Sequence, residues 1–223
     1  MGIMVSAIFG DPAEWPPHDV IGLSREFSPA MTVEAYTAGV FPMPTEINGG
    51  QEMAWFSPVR RGILPLDGLR VTRSLRKMLK RYRVTVDQAF DEVIARCGDP
   101  SRDGAWIDER ISRTYRQLHR RGLTHSVECW DDQDRLVGGL YGVGLGGLFA
   151  GESMFHDPEH GRDASKVALV RLVQLLQAAG GERLLDVQWQ TPHLASLGVI
   201  EIDRSDYLVR LRRALTTPSP VWR

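Results

Sequence analysis

Between Leu148 and Trp189 the chain reads as strand, helix, strand, and that order leaves few folds open. Leu148 to Phe155 is an apolar run, Ala164 to Ala179 is an apolar-rich helical stretch, and Leu184 to Trp189 is a second short run. A crossover of this kind returns the chain to the same sheet beside its starting strand. Both strands carry polar residues where a buried strand ordinarily has none. Glu152 interrupts Phe149-Ala150-Gly151-Glu152-Ser153-Met154-Phe155. Alternation sets Asp186 and Gln188 on one face of the second strand, with Leu185, Val187 and Trp189 on the other. Burying a carboxylate and an amide costs several kcal/mol unless both are partnered. Two readings follow: a satisfied network that pins the strands together, or polar groups gathered on a cleft for chemistry.

The remainder divides in two. Residues 1–65 are rich in Pro and Gly, with one helical stretch near Thr32 to Ala38 that starts behind Ser28-Pro29. They are expected to form a small N-terminal α+β unit. Residues 66–223 are more regular. Helices are predicted over Arg73 to Tyr82 and Ile111 to Arg120, the second closed by Gly122. Strands are predicted over Thr124 to Trp130 and Leu136 to Val143, ahead of the Leu148 run. A short helix near His193, a strand at Val199 to Ile202 and a helix from Asp206 complete the pattern.

The net charge of −1 conceals a local excess of cations. Arg70, Arg73, Arg76, Lys77, Lys80, Arg81 and Arg83 fall together with no acid among them. On a helix, Arg73, Arg76, Lys77 and Lys80 line one face, while Leu75, Met78, Leu79 and Tyr82 line another. A second helix repeats the theme with Arg113, Arg116 and Arg120. Such faces are either solvated or meant for nucleic acid.

Two tempting motifs fail on context. Gly142-Val143-Gly144-Leu145-Gly146-Gly147 satisfies the dinucleotide spacing, but a strand rather than a helix follows it, so a hairpin turn is expected. In His156-Asp157-Pro158-Glu159-His160 the proline breaks the helix that would stack the two histidines, which favours a polar loop over a metal site. Cys97 and Cys129 are the two cysteines and lie far apart, as suits a reducing cytoplasm. No stretch is long and apolar enough to span a bilayer.

A series of short segments, in order, resembles the leucyl/phenylalanyl-tRNA–protein transferases. They include Ala35-Tyr36-Thr37-Ala38-Gly39-Val40-Phe41-Pro42, Trp55-Phe56-Ser57-Pro58, Thr72-Arg73-Ser74-Leu75-Arg76-Lys77 and Gly104-Ala105-Trp106-Ile107. The series continues through His125-Ser126-Val127-Glu128, Val137-Gly138-Gly139-Leu140-Tyr141-Gly142, Gly151-Glu152-Ser153-Met154-Phe155, Asp186-Val187-Gln188 and His193-Leu194-Ala195-Ser196-Leu197-Gly198. The resemblance implies an α+β fold with an acetyltransferase-like (GNAT-like) mixed sheet and crossover helix, preceded by the small N-terminal domain. It implies transfer of Leu or Phe, with Met as a further donor, from aminoacyl-tRNA to proteins with an N-terminal Arg or Lys, which marks them for degradation. An acyl-CoA-dependent acetyltransferase is the alternative use of such a fold, although the acidic Asp157, Glu159 and Asp163 before the crossover helix would repel a diphosphate.

The resemblance also implies roles for residues. Leu140, Phe149, Leu169, Leu172, Leu176 and Leu185 match an aminoacyl side-chain pocket. Trp106 matches an aromatic that stacks on the terminal adenosine, and Met43 stands where the family has that aromatic's partner Trp. Arg73, Arg76, Lys77, Lys80 and Arg81 would meet tRNA phosphates. An aminoacyl ester is already activated, so no cofactor and no metal is expected. The enzyme has to position an amine, remove its proton and stabilise an oxyanion. Gln188 is expected to accept a hydrogen bond from the acceptor amine, Asp186 to orient Gln188, and Glu152 to anchor an amine. The acceptor's basic first residue is expected at the acidic loop 156–163. Replacing Asp186 or Gln188 by Ala is expected to slow transfer with little effect on folding.

Overall fold

The computed structural model describes residues 6–47, 49–102 and 106–222. Gly104 and Ala105 of the fourth quoted segment lie outside them. A 3-10 turn, Pro12–Glu14, leads into β1 (Val20–Ser24) and α1 (Pro29–Ala38). Ser28 caps α1 by accepting the Met31 N–H, Pro29 occupies its first turn, and Gly39 ends it at φ 85°. The left-handed φ is what calls for glycine at this position. Then come β2 (Phe41–Ile47), β3 (Gly50–Phe56) and β4 (Arg60–Ile63). The second part contains α2 (Arg73–Met78), β5 (Arg83–Val86), α3 (Phe90–Cys97), α4 (Glu109–His119), β6 (Thr124–Trp130), β7 (Leu136–Leu145) and β8 (Leu148–His156). It closes with α5 (Ala164–Ala178), β9 (Leu184–Asp186), α6 (Pro192–Leu197), β10 (Ile200–Asp203) and α7 (Arg204–Leu215).

Two sheets result. β1, β3 and β2 form a three-stranded sheet, and the rest form a seven-stranded one in the order β10-β4-β9-β8-β7-β6-β5. The second sheet is mixed: β8 and β9 are parallel, joined by α5 as the strand–helix–strand pattern requires, and its other pairings are antiparallel. β4 precedes the expected division at residue 65 yet lies inside this sheet, between β10 and β9. The Gly-rich stretch at 142–147 is the β7–β8 hairpin, with Gly146 at φ 58°.

Apolar side chains fill both faces of the large sheet. Leu140, Phe149 and Leu185 pack with Val167, Leu172 and Leu176 of α5 on one face. Tyr141, Ala150 and Leu184 pack with Tyr36 of α1, Tyr115 of α4 and Leu211 of α7 on the other. Burial on both faces explains why β7 and β8 read as nearly continuous apolar runs. Among the described residues no helix is long and apolar enough to cross a membrane.

Candidate active site

Parallel pairing sets Ala150 beside Asp186, so the end of β9 lies against the first part of β8, just before Glu152. Glu152 falls at a bulge: Tyr141 pairs with Ser153 and Gly142 with Gly151, which leaves Glu152 with no residue opposite. A bulge re-aims a side chain and is common beside active sites. The Glu152 carboxyl accepts a hydrogen bond from the Tyr115 hydroxyl at 3.2 Å. That hydroxyl is in turn 2.6 Å from the Tyr36 hydroxyl. Gln188 Nε2 donates to the other carboxyl oxygen at 3.4 Å. Burial pushes the Glu152 carboxyl up to about 8, reinforced by the Asp186 charge and opposed by the tyrosine hydrogen bonds and Arg61. Burial therefore favours the neutral form, and an entering ammonium would restore the carboxylate.

Asp186 departs from expectation. β9 ends at Asp186, and Gln188 adopts φ 60°, so strand alternation does not carry the two side chains to one face. The cause is local. Asp186 Oδ1 accepts the Gln188 backbone N–H at 3.0 Å. Gly62 N–H donates to the Gln188 carbonyl at 2.9 Å, and the Val187 N–H to the Gly62 carbonyl at 3.0 Å. A Cβ at Gly62 would lie 2.8 Å from the Trp189 backbone, so only glycine lets β4 approach this turn. The left-handed conformation costs a non-glycine residue roughly 1–2 kcal/mol, which these bonds offset.

The rest of the Asp186 carboxylate is already engaged. Arg61 Nε donates to Oδ1 at 2.8 Å, Arg61 Nη2 to Oδ2 at 2.5 Å, and the Tyr207 hydroxyl to Oδ2 at 2.9 Å. With the Gln188 N–H that makes four donors on a group with about four acceptor sites. Asp186 is wholly buried and holds the backbone of Gln188; neither of the clefts below includes it. Burial disfavours the Arg61 charge, and the Asp186 carboxylate more than restores it. Arg61 also lies over the rings of Phe41 and Tyr207 and donates to the Gly39 carbonyl at 3.1 Å.

Two clefts meet at Glu152 and Gln188. The first, of about 220 Å³, is walled by Leu64, Leu140, Phe149, Leu169, Leu172 and Leu185. Of the expected pocket residues, Leu176 does not reach it; that side chain is fully buried in the core beneath. The volume falls below the range of drug-sized sites and suits one amino-acid side chain. The second cleft, about 200 Å³, is walled by Phe41, Met43, Trp106 and Trp189. Met43 and Trp106 are thus brought together, and Trp189 joins them. Glu152 and Gln188 belong to both walls.

The cationic surface is partly as expected. Arg73, Arg76, Lys77, Lys80 and Arg81 are all exposed, while Leu75 and Tyr82 are buried. α2 stops at Met78 rather than Tyr82. Lys80 N–H bonds to the Lys77 carbonyl and Arg81 N–H to Met78, the tighter turn with which helices often end. On α4 the charges are largely matched: Arg116 pairs with Asp91 at 3.2 Å, and Arg113 lies 3.5 Å from Glu109. Loop 156–163 is likewise less acidic in effect than in sequence. Asp157 accepts the backbone N–H groups of Glu159 and His160 and pairs with Arg96. The His160 N–H chiefly holds its carboxyl down to about 2. Asp163 pairs with Lys166 at 2.7 Å.

Arg61, Tyr36, Tyr115 and Tyr207 complete the site, and pattern reading did not single them out. Arg60 and Arg61 are equivalent in sequence, yet Arg60 faces solvent and Arg61 is 1% exposed. A signal was available for Tyr115, which shares one apolar face of α4 with Ile111 and Leu118.

A leucine-lined cleft and an aromatic-lined cleft thus adjoin at an ionisable carboxyl and an amide. Residues 63–212 match the family described as leucyl/phenylalanyl-tRNA protein transferase, and residues 25–59 match the N-terminal domain of the same proteins. A leucyl/phenylalanyl-tRNA–protein transferase of Rhizorhabdus wittichii is 49% identical over 86% of this chain and 76% of its own length. Those of Ruegeria sp. and Anaeromyxobacter dehalogenans are 50% and 44% identical, over 84% and 95% of this chain and 87% and 89% of theirs. The chain belongs to the leucyl/phenylalanyl-tRNA–protein transferase family. Among solved structures, L-PGS from Bacillus licheniformis is similar at a TM-score of 0.39 and 11% identity, over 87% of this chain and 62% of that one, which is too distant to inform the fold.

Proposed function

We propose that this protein transfers leucine or phenylalanine from aminoacyl-tRNA to the N-terminal Arg or Lys of acceptor proteins in the cytoplasm, marking them for degradation. The observation that carries the reading is the sharing of Glu152 and Gln188 by both clefts. With the aminoacyl side chain among Leu140, Phe149, Leu169, Leu172 and Leu185, and the terminal adenosine between Met43 and Trp106, the ester carbonyl falls beside these two polar groups. The exposed run Arg73 to Arg81 offers cations to the acceptor-stem phosphates. The acetyltransferase-like reading of the sheet is part of the same proposal, supported by the antiparallel β6–β8 followed by the parallel β8–α5–β9 unit. So is a division into a small N-terminal domain and a catalytic one.

The roles follow from the contacts. An α-amine has a reference pKa of about 8, so a useful fraction is neutral near pH 7. Gln188 directs one side-chain N–H at Glu152, and among the described residues its side-chain oxygen has no partner, so it can accept from that amine. Asp186 fixes the Gln188 backbone, and Arg61 and Tyr207 fix Asp186. Glu152 receives an ammonium by ionising. Since Asp157 and Asp163 are engaged by Arg96 and Lys166, Glu152 and the exposed Glu159 are, among the described acids of β8 and loop 156–163, those that would meet an acceptor's basic residue.

Labelled leucyl-tRNA and labelled acetyl-CoA, each offered with peptides that begin with Arg or with Ala, provide the test. Label should pass from leucyl-tRNA to the Arg peptide, favoured roughly tenfold to a hundredfold over the Ala peptide, as one partly desolvated charge pair allows. Transfer from acetyl-CoA instead, or equal use of both peptides, would overturn the reading.

A further inference from the structure

We propose that Trp222 sets the depth of the leucine-lined cleft, as a positioning residue for donor selection that acts through Phe149. The inference rests on the reading that this cleft takes the donor's side chain. Phe149 is fully buried and forms part of the cleft wall, whereas Trp222 does not line the cleft. The cross-strand neighbour of Phe149 is Gly144. The Phe149 ring lies over Gly142, and the Trp222 indole lies beside it over Gly144, two places where the absence of a side chain leaves room for a ring. The two ring centroids are 5.5 Å apart at 41°. A Cβ on Gly144 would come within 3.2 Å of the indole and 2.8 Å of His125.

The indole is itself held from behind. It stacks on the His125 imidazole at 4.1 Å and 12°. His125 Nδ1 lies 2.7 Å from Asp87 Oδ2, and Asp87 Oδ1 accepts the Ser126 backbone N–H at 2.8 Å. The segment that carries Trp222 is fastened to the end of α5 by Arg183, which donates to the Pro218 carbonyl at 2.7 Å and to Gly180 at 2.6 Å. Asp87, His125 and Trp222 thus form a buttress that ends on Phe149. Close-packed interiors transmit such support, because a ring cannot shift unless its neighbour yields. The arrangement uses no group that the transfer chemistry needs, so depth can change without loss of the reactive centre.

The test compares kcat/KM for leucyl-, phenylalanyl- and tryptophanyl-tRNA in the parent and in Trp222→Ala, Trp222→Leu and Trp222→Phe, with one Arg-starting peptide as acceptor. The tryptophanyl-to-leucyl ratio should rise at least tenfold in Trp222→Ala and fall back in the order Ala, Leu, Phe as volume behind Phe149 is restored. A purely structural role would lower all three donors together and leave the ratio alone. Trp222→Phe guards against a variant that fails to fold. An unchanged ratio in folded Trp222→Ala or Trp222→Leu, with leucine transfer intact in the parent, would overturn this inference alone; a parent that transfers no aminoacyl group would overturn the function and this role with it.

Discussion

Replacing Asp186 by Ala should cost roughly 3–5 kcal/mol of stability, the range for removing one partner of a buried ion pair. The reason is Arg61, which is 1% exposed and would be left charged in the core with two of its donors unmatched. This reverses the expectation, drawn from sequence, that the substitution spares folding. Arg61→Ala should destabilise by a similar amount, since it strands the carboxylate. Replacing both with apolar residues, Arg61→Met with Asp186→Leu, should recover most of the loss, because neither charge is then desolvated alone. Transfer should not recover, because the Gln188 N–H loses its acceptor and the left-handed turn loses its support. Urea denaturation of the four proteins decides this. A single variant that loses under 1 kcal/mol would mean that the pair does not hold the core.

The second large effect is a dependence of stability on pH that arises at Glu152. Its folded pKa of about 8 lies above the ordinary carboxyl value of 4.5. Between those values the folded protein keeps a proton that the unfolded chain releases, so stability falls as pH rises through the window and levels off above it. The slope from one such group is at most about 1.4 kcal/mol per pH unit. Glu152→Gln removes the group while keeping shape and an acceptor oxygen. Its stability relative to the parent should therefore climb from pH 5 to pH 8 and then stay flat. The same substitution deprives a donor or acceptor ammonium of its charge partner, and kcat/KM for transfer should drop roughly tenfold to a hundredfold. Parallel stability curves for the two proteins across pH 5 to 9 would remove Glu152 as a proton-holding group.

The legible part of this fold is the part in which local pattern and tertiary fate agree. β6, β7, β8 and α5 have the length, period and turn residues of what they form, and their observed bounds lie within two residues of those expected. Glu152 was visible as a polar intruder because an apolar strand offers no ordinary place for it. What the pattern lacks is anything set by a distant partner. The left-handed turn at Gln188 depends on Gly62 of the adjacent strand β4, which is far away in sequence. Arg61 is buried and Arg60 exposed only because β4 is inserted between β9 and β10. The strands of the N-terminal sheet contain Pro42, Pro44 and Gly50, residues that argue against a strand until an edge position accommodates the prolines. The acidic loop misled in the opposite sense: its charges are real, but Arg96, Lys166 and two backbone N–H groups already engage Asp157 and Asp163.

On the proposed function, chemistry occurs where the two clefts meet, at the Gln188 side chain. Gln188→Gly is the variant that isolates it, because glycine accepts φ 60° without strain and keeps the N–H that binds Asp186. Single-turnover transfer of leucine from leucyl-tRNA to a peptide beginning with Arg should slow by roughly tenfold to a thousandfold, the range for losing a transition-state hydrogen bond. Leucyl-tRNA affinity and the unfolding midpoint should stay close to those of the parent. Transfer at the parental rate by a folded Gln188→Gly protein would mean that the Gln188 side chain takes no part in the chemistry.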